Sequence, residues 1–223
     1  MIQNGNPIVV NGKHSKGING HSLRINGIPD DTSLELDDDE KIRLISKHFK
    51  QIMLLLGLNL SDNSLKGTPD RVAKMYVKEI FSGLNPDNKP DITLFENKYH
   101  YGQMLVEKNI TVYSSCEHHF VPIIGKAHVA YYPNGKVIGL SKINRIVQYY
   151  SKRPQVQERL TEQIAEALKQ ALHTEDVAVV VDAVHLCVTS RGIGDVNSST
   201  ITSHYSGKFL AEQTKKEFLS FLK

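Results

Sequence analysis

The sequence predicts an α+β protein built on an antiparallel sheet. Three observations carry that prediction. Apolar residues recur at helical spacing in several separate stretches, and strand patterns cluster between residues 103 and 140 around a Pro133-Asn134-Gly135 turn. No glycine-rich phosphate loop of the P-loop or Rossmann type occurs, so a nucleotide would have to be held by other means. Hairpin-joined strands with helices segregated to one face make an α+β fold.

The elements follow in order. Residues 1–36 hold five of the fifteen glycines by Gly27, with interleaved asparagine and little periodicity, and read as a flexible arm with a short strand at 22–28. Asp37-Asp38-Asp39-Glu40 places negative charge at a helix start, where the helix dipole favours it. Ile42, Ile45, Phe49, Ile52 and Leu56 continue that helix to about residue 56. Thr68-Pro69 caps a second helix over 69–81, with Val72, Met75, Tyr76 and Ile80 inward and Gly83 as its stop.

Strands are expected at 103–114, 120–132 and 136–140, the last two joined as a hairpin through Pro133-Asn134-Gly135. Ser141 reads as the N-cap of a helix to residue 152, and Pro154 as the start of another to residue 172. A strand over 177–190, a turn at Arg191-Gly192, a strand near 199–205 and a last helix from about residue 208 complete the chain. The division expected is an arm at 1–36 and a domain at 37–223, itself made of N-terminal helices (37–100) and a core (101–223).

Composition narrows the function. Hydrophobic residues make up 40% and charged residues 23% of 223, as in a globular protein. The apolar run 53–58 is broken by Gly57 and falls far short of the roughly 20 residues of a membrane span. No apolar signal region opens the chain, so a cytoplasmic address is expected. The net charge of +3 conceals an asymmetry: residues 1–40 carry three basic and seven acidic side chains, leaving 24 basic and 17 acidic beyond them. That excess suits a small anionic ligand and is thin for nucleic acid. Lys142 and Arg145 lie together near a helix N-terminus, an end that favours anions; Arg71 and Lys74 share another outer face. Solvated surface is the ordinary reading for such pairs.

The chemistry-bearing residues are Cys116-Glu117-His118-His119 and His185-Leu186-Cys187, which contain both cysteines of the chain. Thiolate and imidazole are the ligands that Zn²⁺ prefers. Cys116 and His119 share a face only if the chain bends there, whereas in a flat strand Cys116 would face the same way as His118. A strand over 177–190 would place His185 and Cys187 on one face. A bend giving two ligands and a strand giving a third would leave one position open, as in catalytic zinc. A single disulfide, or two inert buried thiols, are the alternatives.

Four motifs now stand in order: SCEHHF (115–120), VIGLSKINRIV (137–147), RPQVQERL (153–160) and DAVHLCV (182–188). Together they resemble GTP cyclohydrolase I, the zinc enzyme that opens pterin and folate biosynthesis, over residues 37–223. The resemblance implies a T-fold: a four-stranded antiparallel sheet with helices on one face, preceded by an N-terminal helical region and assembled as a homodecamer with sites at subunit boundaries. It implies zinc on Cys116, His119 and Cys187, leaving His118 and His185 for proton transfer. Glu158, helped by Gln157, would meet the guanine edge of GTP, and Ser141, Lys142, Arg145, Arg191 and Arg71 the sugar and triphosphate. Some relatives carry a basic residue where this chain has Gly194, so that position is not counted as a phosphate contact.

The implied reaction converts GTP to 7,8-dihydroneopterin triphosphate and formate. His185 is favoured for protonating N7, because imidazole titrates near neutrality. His118 and Ser141 are candidates for the later ribose steps. Two rival readings are another T-fold enzyme on a purine or pterin, such as the nitrile reductases that lack this cluster, and a non-catalytic zinc-stabilised nucleotide-binding module. A metal assay separates the first, and formate release from GTP the second.

Overall fold

The computed structural model describes residues 36–223. The expected arm and its short strand at 22–28 therefore lie outside the described residues, apart from Leu36.

Helix α1 (Asp38–Leu55) starts where Asp37 accepts a hydrogen bond from the Glu40 N–H at 2.8 Å, with Asp38, Asp39 and Glu40 in its first turn. Helix α2 (Thr68–Met75) carries Pro69 in its first turn and loosens into a π-helical stretch, Tyr76–Ile80. Lys78 Nζ on Asp38 at 2.7 Å and Ser46 Oγ on Asp70 at 2.6 Å tie the two helices together. Gly83 then meets the end of a later helix. A Cβ there would stand 2.1 Å from the Tyr149 carbonyl oxygen, and the Gly83 N–H donates to Lys152 O at 2.9 Å. Only glycine permits that approach.

Strand β1 (Leu94–Glu96) precedes β2 (Leu105–Cys116), β3 (Pro122–Tyr131) and β4 (Lys136–Ile138). Helix α3 (Leu140–Ser151), the two-residue β5 (Pro154–Gln155), α4 (Gln157–Leu172) and β6 (Val177–His185) follow. The short helical turn α5 (Leu186–Thr189), β7 (Thr200–Tyr205) and α6 (Glu212–Ser220) close the chain. Strands β2-β3-β6-β7 form a four-stranded antiparallel sheet, and β5 adds a short parallel ladder to β2.

Alternation along β3 and β6 builds two cores. Val129, Tyr131, Val177, Val179 and Val181 face α3 and α4, where they meet Ile143, Val147, Leu160, Ile164 and Leu168. The intervening Ala130, Ala178 and Val180 pack on the other face against Phe209 and Phe218 of the C-terminal segment. Helices α3 and α4 thus share one face, and the last helix is an addition on the opposite one.

Several boundaries depart from expectation. The 133–135 turn does not make a hairpin of β3 and β4. Both edges of β3 are occupied by β2 and β6, so β4 pairs instead with β1, Phe95 opposite Val137. Gly139, not Ser141, is the N-cap of α3. Pro154 begins no helix: Pro154 and Gln155 pair with Ser115 and Cys116, and α4 starts at Gln157. The strand expected over 177–190 stops at His185, where the chain turns helical and the Ser190 N–H bonds Leu186 O at 2.9 Å.

Candidate active site

The site is assembled at one end of the sheet. Strand β2 delivers Cys116, and the chain then bends sharply. The Phe120 N–H returns to Cys116 O at 2.8 Å, the Cys116 N–H goes to Val121 O at 2.9 Å, and Phe120 takes a left-handed φ of 54°. The bend turns His119 back, so its Nδ1 lies 3.7 Å from the Cys116 Sγ; His118 Nδ1 lies 3.6 Å from the same sulfur. Cys187 comes from α5. One ligand atom each from Cys116, His119 and Cys187 falls within 4.8 Å of the others.

Because β6 ends at His185, the period of two does not govern His185 and Cys187, and the expected sharing of a strand face does not occur. Cys187 joins Cys116, while His185 turns to Gln157. Both cysteines are free thiols. Burial pushes the Cys187 thiol up, and the facing Cys116 adds to that; the Arg191 guanidinium pulls it the other way. Two thiols and an imidazole converging in a partly desolvated place are a donor set for a borderline-soft cation, which would hold both sulfurs as thiolates. The residues fit a metal ion.

His185 is half-buried, and Gln157 is 1% exposed. The Gln157 amide nitrogen donates to Val181 O at 3.0 Å and Thr200 O at 2.8 Å, leaving Oε1 facing His185 Nε2 at 2.7 Å. With both amide hydrogens committed to carbonyls, Oε1 is the acceptor and Nε2 the donor. This orients the ring and leaves Nδ1 as its exchangeable atom. Burial pushes the His185 pKa down, and the Glu158 carboxylate pulls it up. That effect puts Glu158, exposed in the first turn of α4, within electrostatic range of His185. Gln157, expected at the guanine edge, has its side-chain amide engaged with backbone and His185 instead.

Ser141, Lys142 and Arg145 ride the first half of α3, with Ser141 and Arg145 exposed and Lys142 half-covered. Arg191 is exposed beyond α5, close enough to act on the Cys187 thiol. Arg71 stays with its own helix start, its Nη2 donating to Ser64 O at 3.0 Å and Thr68 Oγ1 at 2.9 Å. An apolar groove of about 560 Å³ lies elsewhere, lined by Ile45, Phe49, Tyr76, Phe81 and Phe120. Its lining contains none of Cys116, His119, His185 or Cys187. The sequence reading also passed over Glu117 and Arg159, although both sit inside the motifs it quoted; they form an ion pair next to Cys116.

A family model described as GTP cyclohydrolase I matches residues 45–223. A protein of Flavobacterium johnsoniae named GTP cyclohydrolase 1 is 63% identical over 191 residues, 86% of each chain. One of Citrobacter koseri with the same name is 57% identical over 186 residues, 83% of this chain and 84% of that one. A solved structure described as the archaeosine synthase QueF-Like in the apo form covers 47% of this chain and 93% of its own, at 22% identity and a TM-score of 0.39, too slight a likeness to argue from. On the family match and the identity to these relatives, the chain belongs to the GTP cyclohydrolase I family, and the α+β architecture described above is its T-fold.

Proposed function

We infer that the chain hydrolyses GTP to 7,8-dihydroneopterin triphosphate and formate, with zinc as its metal, at the entry to pterin and tetrahydrofolate synthesis. The observation that carries this reading is the convergence of Cys116, His119 and Cys187 beside an oriented His185, in a chain of this family. Cys116, His119 and Cys187 would hold the zinc ion, and the ion would supply the Lewis acidity that brings water toward ionisation near neutral pH.

The protein's own groups do the rest. Glu158 accepts hydrogen bonds from the guanine N1–H and 2-amino group, a pattern adenine cannot offer. His185, taken up as the imidazolium with Nε2–H kept on Gln157, presents its Nδ1–H to N7 and gives it that proton, which makes C8 electrophilic toward water and leaves the neutral tautomer that Gln157 holds. A second water releases C8 as formate. The ribose then opens, rearranges and closes onto the ring with loss of one water, and His118 and Ser141 are the residues proposed to carry protons in those steps. Lys142, Arg145 and Arg191 offset the charge of the triphosphate, which one cation alone would not balance.

A homo-oligomer, most simply the family's decamer, goes with this reading. Arg71, held at its own helix start, is proposed to meet phosphate in a site shared with a neighbouring copy, and β7 leaves an edge of the sheet with Ile201 exposed. No helix among the described residues is long and apolar enough to cross a membrane, and a cytoplasmic address is proposed with the function. Incubation of the purified, zinc-loaded protein with GTP tests the reading: pterin fluorescence and one formate per GTP are expected, and absence of both overturns it.

A further inference from the structure

Glu117 stands between the ligand Cys116 and the two histidines, and its carboxylate is held by the guanidinium of Arg159. Arg159 lies in the first turn of α4, directly after Glu158 and two residues after Gln157. Further bonds run to the same neighbourhood: Nε donates to Gln155 Oε1 and Nη2 to Pro154 O, both at 2.9 Å. Gln155 is 1% exposed and is itself fixed, its amide nitrogen donating to Tyr150 O and Gln163 Oε1 at 2.9 Å each. The main chain adds a second tie, with the Glu117 N–H on Gln155 O at 3.0 Å.

We propose that Glu117 and Arg159 are a pair of positioning residues that lock the metal-ligand bend to the first turn of α4. That turn carries Glu158, which meets the base, and Gln157, which orients His185. The pair therefore sets the separation between the metal, the proton carrier and the guanine edge. Its consequence for turnover rests on the cyclohydrolase reading; its geometry does not. A guanidinium suits the task because its planar fork meets the carboxylate, the Gln155 oxygen and the Pro154 carbonyl together. Lysine would supply the charge without that geometry. Displacements of about 1 Å in such a frame cost roughly 100-fold in rate, and groups supporting metal ligands typically contribute about 10–100-fold in metal affinity.

The test compares Glu117→Ala, Arg159→Ala, the double variant, Glu117→Gln and Arg159→Lys. Four quantities are measured: zinc affinity by chelator competition, the visible spectrum of the cobalt(II)-substituted protein, melting temperature, and kcat and KM for GTP per zinc-loaded subunit. Each alanine variant is expected to bind zinc about 10–100-fold more weakly, to shift the cobalt spectrum, and to lose kcat by more than KM rises. The double variant should be no worse than either single one, as for two halves of one device. Glu117→Gln keeps an acceptor oxygen and should retain most of the affinity.

Alanine variants that melt earlier yet show wild-type zinc affinity, spectrum and kcat once loaded would overturn the proposal, as would additive losses in the double variant. Should the alanine variants not fold, Arg159→Lys decides: about 10-fold weaker zinc binding supports the clamp, and wild-type binding refutes it. Wild-type protein that releases no formate from GTP would sink the cyclohydrolase reading while leaving the zinc and cobalt readouts to judge the clamp.

Discussion

Gln157 Oε1 accepts a hydrogen bond from His185 Nε2 at 2.7 Å, while the Gln157 amide nitrogen is held between Val181 O and Thr200 O. A flipped amide would set its oxygen against two carbonyls, so the orientation is fixed and the histidine tautomer with it. Gln157→Ala is expected to leave GTP binding within a few-fold and to lower kcat by about 10–100-fold, a large part of what positioned proton transfer contributes. A rise in KM with kcat unchanged would instead place Gln157 on the base.

His128 gives a prediction about pH and stability. It is 8% exposed in β3, and its Nδ1 accepts the N–H of Asn109 at 3.3 Å, where β2 bulges and Asn109 takes a φ of 61°. Burial pushes its pKa down; Lys126 and Lys108 push the same way and Asp182 opposes them. The folded pKa lies below the unfolded value of about 6.5, so the unfolded chain takes up the proton first as pH falls. The stability that the neutral ring contributes is complete above about pH 6.5 and is lost progressively below it. His128→Gln, which can still accept from Asn109, should flatten the fall in melting temperature between about pH 7 and pH 5 at constant zinc loading. An unchanged slope would assign the acid sensitivity to other groups.

Helix α1 was legible in the sequence because local signals agree there: an acidic cap, a first turn of carboxylates and an apolar stripe. The pairing of β4 was not. Proline, asparagine and glycine mark a turn, but which strand has a free edge depends on β6, some forty residues further along. The Cys-Glu-His-His and His-Leu-Cys motifs pointed for the same local reason to the three side chains, Cys116, His119 and Cys187, that the fold brings together as a group able to hold a metal ion. The placing of His185 against Gln157 was hidden, because it depends on β6 stopping at His185 and on a polar glutamine being buried under the sheet. Glu117 and Arg159, 42 residues apart, went unremarked in the sequence because they become a pair only when β5 lies along β2.

Lys142 is expected to act on phosphate and not on the base. It sits in the first turn of α3, where main-chain N–H groups already favour an anion, and its side chain is half-covered. Charge-assisted contacts of this kind contribute about 1.5–3 kcal/mol. Lys142→Ala should therefore weaken GTP binding by about 10–150-fold and guanosine binding hardly at all. Equal losses for both ligands would move the residue to the guanine pocket.

The sharpest prediction separates the histidines. His119 reaches the Cys116 sulfur from the bend and stands with Cys187 in the ligand group, whereas His185 has one ring nitrogen committed to Gln157 and is not needed to complete three ligands. His119→Ala and Cys187→Ser are each expected to lose zinc together with activity. The fold should largely survive in both, since the main core is built from β2, β3, β6, α3 and α4 and not from the metal. His185→Ala should keep one zinc per subunit and bind GTP within a few-fold, yet release formate about 10²–10⁴ more slowly. Zinc content, GTP affinity and formate release, measured on the same preparations, decide between the roles. If removing His185 empties the metal site while His119→Ala stays loaded, the ligand and the proton carrier have been assigned the wrong way round, and the tautomer held by Gln157 has no part in the chemistry.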